Sequence, residues 1–401
     1  MCPKKDLSVG GETPTDSDSD VSMSDSSDSN IEPETSDQPH EEAASGDECE
    51  DEVIKAIRRE CERSNDHPPQ IICEDFITDL CFHPYHDLLA IASIVGDVVL
   101  YKYGNEENIL QNTLELHMKA CRDIEFSLDG KLLLSISKDK SIMISDSDSC
   151  KLLRFYENSH DSPLYCLSVI DENLFATGDE DGMVKLWDLR EKGDKQIYQT
   201  RKNEDYISDI VCDSAHKYLL CSSGDGSLTT IDLQKRSIFM QSEELDDELT
   251  CLGLFRSETK LIAGSAQGKL FFFNWNEFGL NSDAFPSNKA AINTLVPITE
   301  NIVVTACEDG NLRATHLFPH RHLGIVGQHD MGVECLDICN NGTFIASSGH
   351  NNEVKFWNIQ YFETFEKVSS KHKRHERKSE LANNLPSSKV RNNADFFSDL
   401  A

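Results

Sequence analysis

From His160 to Arg190 the chain reads HDSPLYCLSVIDENLFATGDEDGMVKLWDLR, and the pattern of this stretch comes round seven times. Leu164 to Ile170 alternates apolar and polar residues, which suits a half-buried strand. Asp171 to Asn173 is turn chemistry, and Leu174 to Thr177 is a second strand. Asp179-Glu180-Asp181-Gly182 is a tight turn whose glycine tolerates positive φ. Met183 to Trp187 is a third strand, and Asp188 completes a Trp-Asp pair.

Anchoring on the turn glycine registers every repeat. The anchors are Gly96, Lys140, Gly182, Gly226, Gly268, Gly310 and Asn352, separated by 44, 42, 44, 42, 42 and 42 residues. Five positions further on stand Tyr101, Ser145, Trp187, Ile231, Phe273, Thr315 and Trp357. Only two of these are Trp, so the spacing is a stronger signal than the dipeptide. A strand-rich unit recurring at this period, and closing on Trp-Asp, is the mark of a propeller blade. The predicted fold is therefore all-β, a seven-bladed WD-repeat β-propeller.

Each blade needs four strands, and the fourth comes from the segment before the next repeat. Candidates are Ile109–Leu116, Lys151–Tyr156, Lys195–Thr200, Arg236–Gln241, a weak one near Asn281–Phe285, and Arg321–Val326. Six outer strands for seven blades leave the last sheet with an open edge. Pro69–Glu74, just upstream of the first blade, is the natural donor, and pairing it with the strand that ends at Trp357 would close the ring.

Charge divides the chain into four parts. Residues 1–52 hold 17 acidic and 2 basic side chains and almost no large apolar ones, the composition of a disordered tail. Ser17, Ser19, Ser22, Ser24, Ser26, Ser27 and Ser29 lie there among aspartates, as candidate phosphosites for acid-directed kinases. Residues 53–67 form a linker with a short candidate helix, Val53 to Asn65, ended by Pro68-Pro69. Residues 68–366, the propeller, carry 24 basic and 47 acidic groups; residues 367–401 carry 8 and 4. An acidic body is a poor match for nucleic-acid phosphates, whose binding rests on Lys and Arg. The basic run KHKRHERK (371–378) resembles a nuclear-localisation signal. Beyond it, Phe396, Phe397 and Leu400 stand among acids in NADFFSDL; they are suited to packing back on the propeller or entering a partner's groove.

No apolar run reaches membrane-spanning length, and the start lacks the apolar core of a secretory signal. The 14 cysteines include no C-x-x-C pair and fall mostly on predicted strands, as small hydrophobes in a reduced, intracellular protein would. Phosphate loops, dinucleotide fingerprints and H-E-x-x-H are missing. The pairs His83/His86 and His372/His375 flank a turn and lie in the basic tail, so neither is assigned to a metal. No catalytic, cofactor-binding or metal-binding residue is assigned, and no small-molecule substrate is expected.

His117, His160 and His329 each precede the first strand of a repeat, as in WD-repeat proteins, which this region resembles. The resemblance implies a buried network of that His with a Ser or Thr, the turn Asp and the Trp. It predicts His160, Thr177, Asp181 and Trp187 in the third blade, and His329, Ser347, Asn351 and Trp357 in the last. A Ser-His-Asp triad is excluded because these residues recur with the repeat. The second blade keeps His117, Ser135 and Asp139 but has Ser145 at the Trp position; the fourth has Asn203, Cys221, Asp225 and Ile231. Both are expected to rely on apolar packing and to be locally weaker.

Several strings are more specific: LCFHPYHDLLA (80–90), HMKACRDIEFSLDGKLLLSISKDKSI (117–142), DENLFATGDEDGMVKLWD (171–188), FFFNWNEFG (271–279), VVTACEDGNLRA (303–314), FIASSGHNNEVKFWN (344–358) and DFFSDL. They resemble the WD repeat-containing protein 55 family, with Val95, Asn351 and Asn358 departing from its usual aspartates. The resemblance implies a scaffold in the nucleus and nucleolus, with a cytoplasmic pool open, acting in ribosomal RNA processing. Implied partners are pre-ribosomal assembly factors or ribosomal proteins, with direct RNA contact left open. A second reading comes from Trp187, Asp188 and Arg190, a WDLR string similar to the element by which some WD-repeat proteins dock on cullin-RING ubiquitin ligases.

Overall fold

The structure, a computed structural model, describes residues 67–362 apart from 192, 194, 287 and 288. Seven four-stranded antiparallel sheets form in order along the chain. Their first strands are Ile77–Phe82, Cys121–Phe126, Leu164–Asp171, Ile207–Cys212, Leu249–Phe255, Ile292–Thr299 and Val333–Ile338. These seven line a central channel, each next to the first strand of the following blade, and the last meets the first. The tight turns follow from the anchors. All seven anchor residues have positive φ, including the two that are not glycine, Lys140 (72°) and Asn352 (62°).

The hydrophobic residues do not make one core. They make seven, each at the junction of two consecutive blades. A blade alone would leave both faces bare, so the unit that buries apolar area is the pair of neighbours, and stability depends on closing the ring.

Closure is made by the front of the domain. Ile71–Ile72 pairs antiparallel with Glu353–Asn358, Ile71 opposite Val354 and Ile72 opposite Glu353. The Cys73 N–H donates to the Asn352 carbonyl (2.9 Å), the Asn352 side chain donates to the Glu74 carbonyl (3.2 Å), and Asn108 donates to the Pro69 carbonyl (2.6 Å). Ile71 is buried between the first and last blades. The strand is shorter than the predicted Pro69–Glu74; Pro68 and Pro69 have no N–H to give to a ladder.

The other outer strands form where predicted, with two displaced. The third blade's runs Tyr198–Arg201 and the fifth's Asp283–Pro286, each a few residues late. In the third blade the Ile197 N–H bonds Leu186 directly, and in the fifth a small loop, Asn274–Glu277, takes up chain first. The sequence-level helix at 53–65, both tails, the serines from Ser17 to Ser29 and the Phe396-Phe397-Leu400 cluster lie outside the described residues. None of the described helices is long and apolar enough to cross a membrane.

Candidate interaction surface

In the third blade the indole N–H of Trp187 donates to Thr177 Oγ1 (2.9 Å), and the Thr177 hydroxyl meets His160 Nε2 (2.7 Å). His160 Nδ1 meets a carboxylate at 2.9 Å, but it belongs to Asp179, not to the predicted Asp181. The correction has a simple cause. Thr177 and Asp179 are two apart on one strand and share a face, whereas Asp181 is in the turn and accepts from Ser162. Burial holds His160 below its ordinary range. Burial also opposes ionisation of Asp179, but the bonds from His160 and two backbone N–H groups outweigh it and keep that carboxyl low. A neutral His160 that donates to Asp179 and accepts from Thr177 satisfies every polar atom in the set. All four side chains are sealed from solvent, so no substrate can reach Thr177.

The last blade is less complete. His329 Nε2 meets Ser347 Oγ (2.7 Å), which also accepts from Trp357 (2.8 Å). Gly349 stands where the third blade has Asp179, and an added Cβ there would come within 2.5 Å of both His329 Nδ1 and Asn351 Oδ1. Neither of those atoms has a hydrogen-bond partner, so Asn351 does not play the predicted part. Burial, with the Lys355 charge, pushes His329 down to about 4.

The second and fourth blades do not depend on apolar packing alone. His117 bonds Ser141 and Ser135, both at 2.8 Å, and Ser141 relays it to Asp139. Asn203 donates to Ser227 (2.9 Å) and accepts from Thr229 (3.0 Å), and Ser227 bonds Asp225. Cys221 is not in this network; it packs in the core between the third and fourth blades. Asp179, Ser141, Ser227 and Thr229 were missed from sequence. The available signals were local: Asp179 lies two residues on from Thr177 on one strand, Thr229 pairs directly with Cys221 across the hairpin, and Ser141 and Ser227 each follow a turn aspartate by two residues.

The channel, about 940 Å³, is lined by carboxylates, of which Asp79, Asp123, Glu125, Asp209 and Asp337 bridge from one blade to the next. Each accepts a backbone N–H from the next blade's first strand: Ile124 on Asp79 (2.9 Å), Leu167 on Asp123 (2.7 Å), Val169 on Glu125 (2.6 Å), Leu252 on Asp209 (2.7 Å), Phe82 on Asp337 (2.6 Å). They staple neighbouring blades. Burial raises all five, Asp123 and Asp337 to about 6 and Asp209 to about 7. Asp79 is raised further by the charge of Asp123, with which it shares a hydrogen bond.

That pair gives a pH prediction. The folded protein retains a proton that the unfolded chain releases near the ordinary value of 3.8. The pair therefore favours folding most below 3.8 and progressively less as pH rises from there through about 6. Asp79→Asn keeps an acceptor for Ile124 and supplies a permanent donor to Asp123. It should stabilise the protein by about 1–2 kcal/mol near pH 8, the channel water screening a larger effect. Near pH 4.5, only part way into the window that opens at 3.8, the gain should be clearly smaller. Melting curves of both proteins at the two pH values check this; an equal shift at both would refute the shared proton.

At one end, the channel mouth carries Phe76, Tyr165 and Tyr206, the last two with rings 4.8 Å apart, and Arg122 lies over Tyr165 while pairing with Glu180 (3.1 Å). The loops of that end expose Glu204, Asp205, Asp246, Glu248, Glu308 and Asp330. On the opposite end, Trp187 is only 1 % exposed, so within the WDLR string its indole is turned into the fold. Arg190 is exposed, its guanidinium gripping Asp188 through two bonds (2.9 and 2.7 Å). His83 is occupied as well: Nδ1 accepts from Tyr85 and His86, and Nε2 faces the Gly130 carbonyl.

Seven four-stranded blades, with a His–Thr–Trp network repeated on Ser in the last, define a WD-repeat β-propeller, a fold that serves as a platform for protein–protein interaction. The WDR55 family model matches residues 68–362. The WD repeat-containing protein 55 homolog of Aedes aegypti is 51% identical over 352 residues, 88% of this chain and 74% of that protein. The homolog of Drosophila erecta is 47% identical over 354 residues, 88% of this chain and 70% of its own length. The chain belongs to the WD repeat-containing protein 55 family.

Proposed function

We propose that this protein is a non-catalytic nucleolar scaffold in ribosome biogenesis, and that it receives basic proteins on the acidic end of the propeller. The charge of that end carries the reading. Glu204, Asp205, Asp246, Glu248, Glu308 and Asp330 surround an aromatic mouth, an arrangement that attracts Lys- and Arg-rich surfaces such as those of ribosomal proteins and repels RNA phosphates. Family membership supports a place in ribosomal RNA processing, and the basic run 371–378 supports nuclear import. The polar sets with triad-like composition are repeated and sealed, which is the behaviour of structure. Affinity purification from nuclear extract, with mass spectrometry, should recover ribosome-assembly proteins. Recovery should fall at least about fivefold when Glu204, Asp205 and Glu248 are changed to Lys, since each reversed rim charge acts on encounter and register. Recovery of no ribosome-assembly proteins by the unaltered chain would reject the proposal.

Exposure of Arg190 keeps one second reading, a substrate receptor of a cullin-RING ubiquitin ligase. Arg190→Glu breaks the Asp188 grip and reverses the exposed charge. On the scaffold reading the variant brings down the same proteins as the parent. Loss of a ligase adaptor, with assembly proteins retained, would favour the receptor.

A further inference from the structure

Beside the point where the described chain stops, the rim of the sixth blade carries an apolar groove of about 110 Å³. It is lined by Ala314, Leu323, Gly324, Ile325, Val326 and Phe362, with Tyr361 at its lip. No lining side chain is charged. Ile325, 61% exposed, stands at this groove. The strand it sits on, Arg321–Gln328, is the outermost of its sheet, and no described strand pairs with its outer edge. An unpaired strand edge beside apolar side chains invites an extended segment. Exposed Arg321 and His322 begin the same strand, so the groove has a cationic end.

We propose that this groove is the docking site of residues 395–400 of the same chain, Asp-Phe-Phe-Ser-Asp-Leu. The chemistry matches at each part. Phe396, Phe397 and Leu400 supply apolar groups for a groove that has no charge, and Asp395 and Asp399 meet Arg321. The tether matches too. Residues 363–394 separate Phe362, itself part of the groove wall, from the segment. By random-coil scaling, a tether of that many residues spans roughly 30 Å, which corresponds to an effective concentration near the millimolar range. A segment of modest intrinsic affinity is then mostly bound. Docked in this way the segment caps the sixth blade's edge, and a partner that takes the same segment has to displace it first. The docking is independent of the acidic end at which the proposed basic partners bind.

Hydrogen exchange on the full-length chain tests this. Amides of residues 321–328 should exchange at least about tenfold more slowly in the parent than in the variant Phe396→Ala, Phe397→Ala, Leu400→Ala, at every protein concentration. Ile325→Asp, which alters the groove from the other side, should expose the same amides and leave the melting temperature within about 2 °C, as expected of an exposed position. Equal exchange in parent and triple variant overturns the proposal. Protection that grows with protein concentration assigns the groove to a second copy and also overturns it. Loss of protection in Phe365→Ala, with the triple variant still protected, hands the groove to the adjoining segment and overturns it as well.

Discussion

Deletion of residues 68–75 should lower the melting temperature by more than about 10 °C and bring on aggregation during heating. The size follows from what the segment does. Burial of Ile71 between the first and last blades is worth about 2–5 kcal/mol on removal. The ladder to Val354 and Glu353, with the bonds from Cys73, Asn352 and Asn108, contributes several kcal/mol more. In a domain of this size each kcal/mol moves the midpoint by roughly 2–4 °C. Aggregation follows because Glu353–Asn358 would then present an unpaired edge. The clasp also works against chain entropy: joining ends some 280 residues apart costs about 5 kcal/mol by the logarithmic estimate. Ile71→Ala should show about half of the deletion's effect, whereas Ile72→Ala, at a side chain 68% exposed, should show almost none. A deletion variant that melts with the parent, without light scattering, would rule out closure by the front segment.

The second large effect is expected at Trp187. Its indole is fully buried, lies near Phe175 and Tyr156 (ring centroids 6.1 and 5.4 Å), and donates to Thr177. Trp187→Ala removes the filling of the junction between the second and third blades and leaves the Thr177–His160 pair short of a donor. The expected loss is about 3–5 kcal/mol from packing, with a further ~1 kcal/mol from the hydrogen bond. Trp187→Phe should recover the packing part. Trp357→Ala should cost clearly less, because that indole is only partly buried and its histidine already lacks one partner. Urea unfolding followed by circular dichroism ranks the three variants. Equal losses at Trp187 and Trp357 would show that the network's completeness has no bearing on stability.

The two predictions rest on parts of the molecule that differed in legibility. The fold was open to inspection because a propeller is built from local units: each turn anchor, each alternating strand and each Trp position lies within a few residues of the next. Even the clasp emerged by counting strands. Within the networks, composition identified the histidines, the hydroxyls and the tryptophans. It picked Asp181 where Asp179 serves, because a turn aspartate and a strand-end aspartate look alike in one dimension. It gave Asn351 a part that its side-chain oxygen, without a hydrogen-bond partner, does not play, and it included in the WDLR string a Trp that is buried.

Repeat period and strand alternation, both properties of neighbouring residues, determined from the chain alone that it would be a seven-membered ring closed by its own beginning. Only the tertiary structure decided the channel. Asp79, Asp123, Asp209 and Asp337 are ordinary strand aspartates until the ring brings each against a backbone N–H of the next blade, 43–45 residues away for the first three and 255 for the last. A hydrogen bond between blades depends on the curvature and stagger of the whole ring, and no local pattern encodes those. The apolar groove beside Ile325 has the same origin: two rims that are distant in sequence become one surface when the seventh blade packs on the sixth.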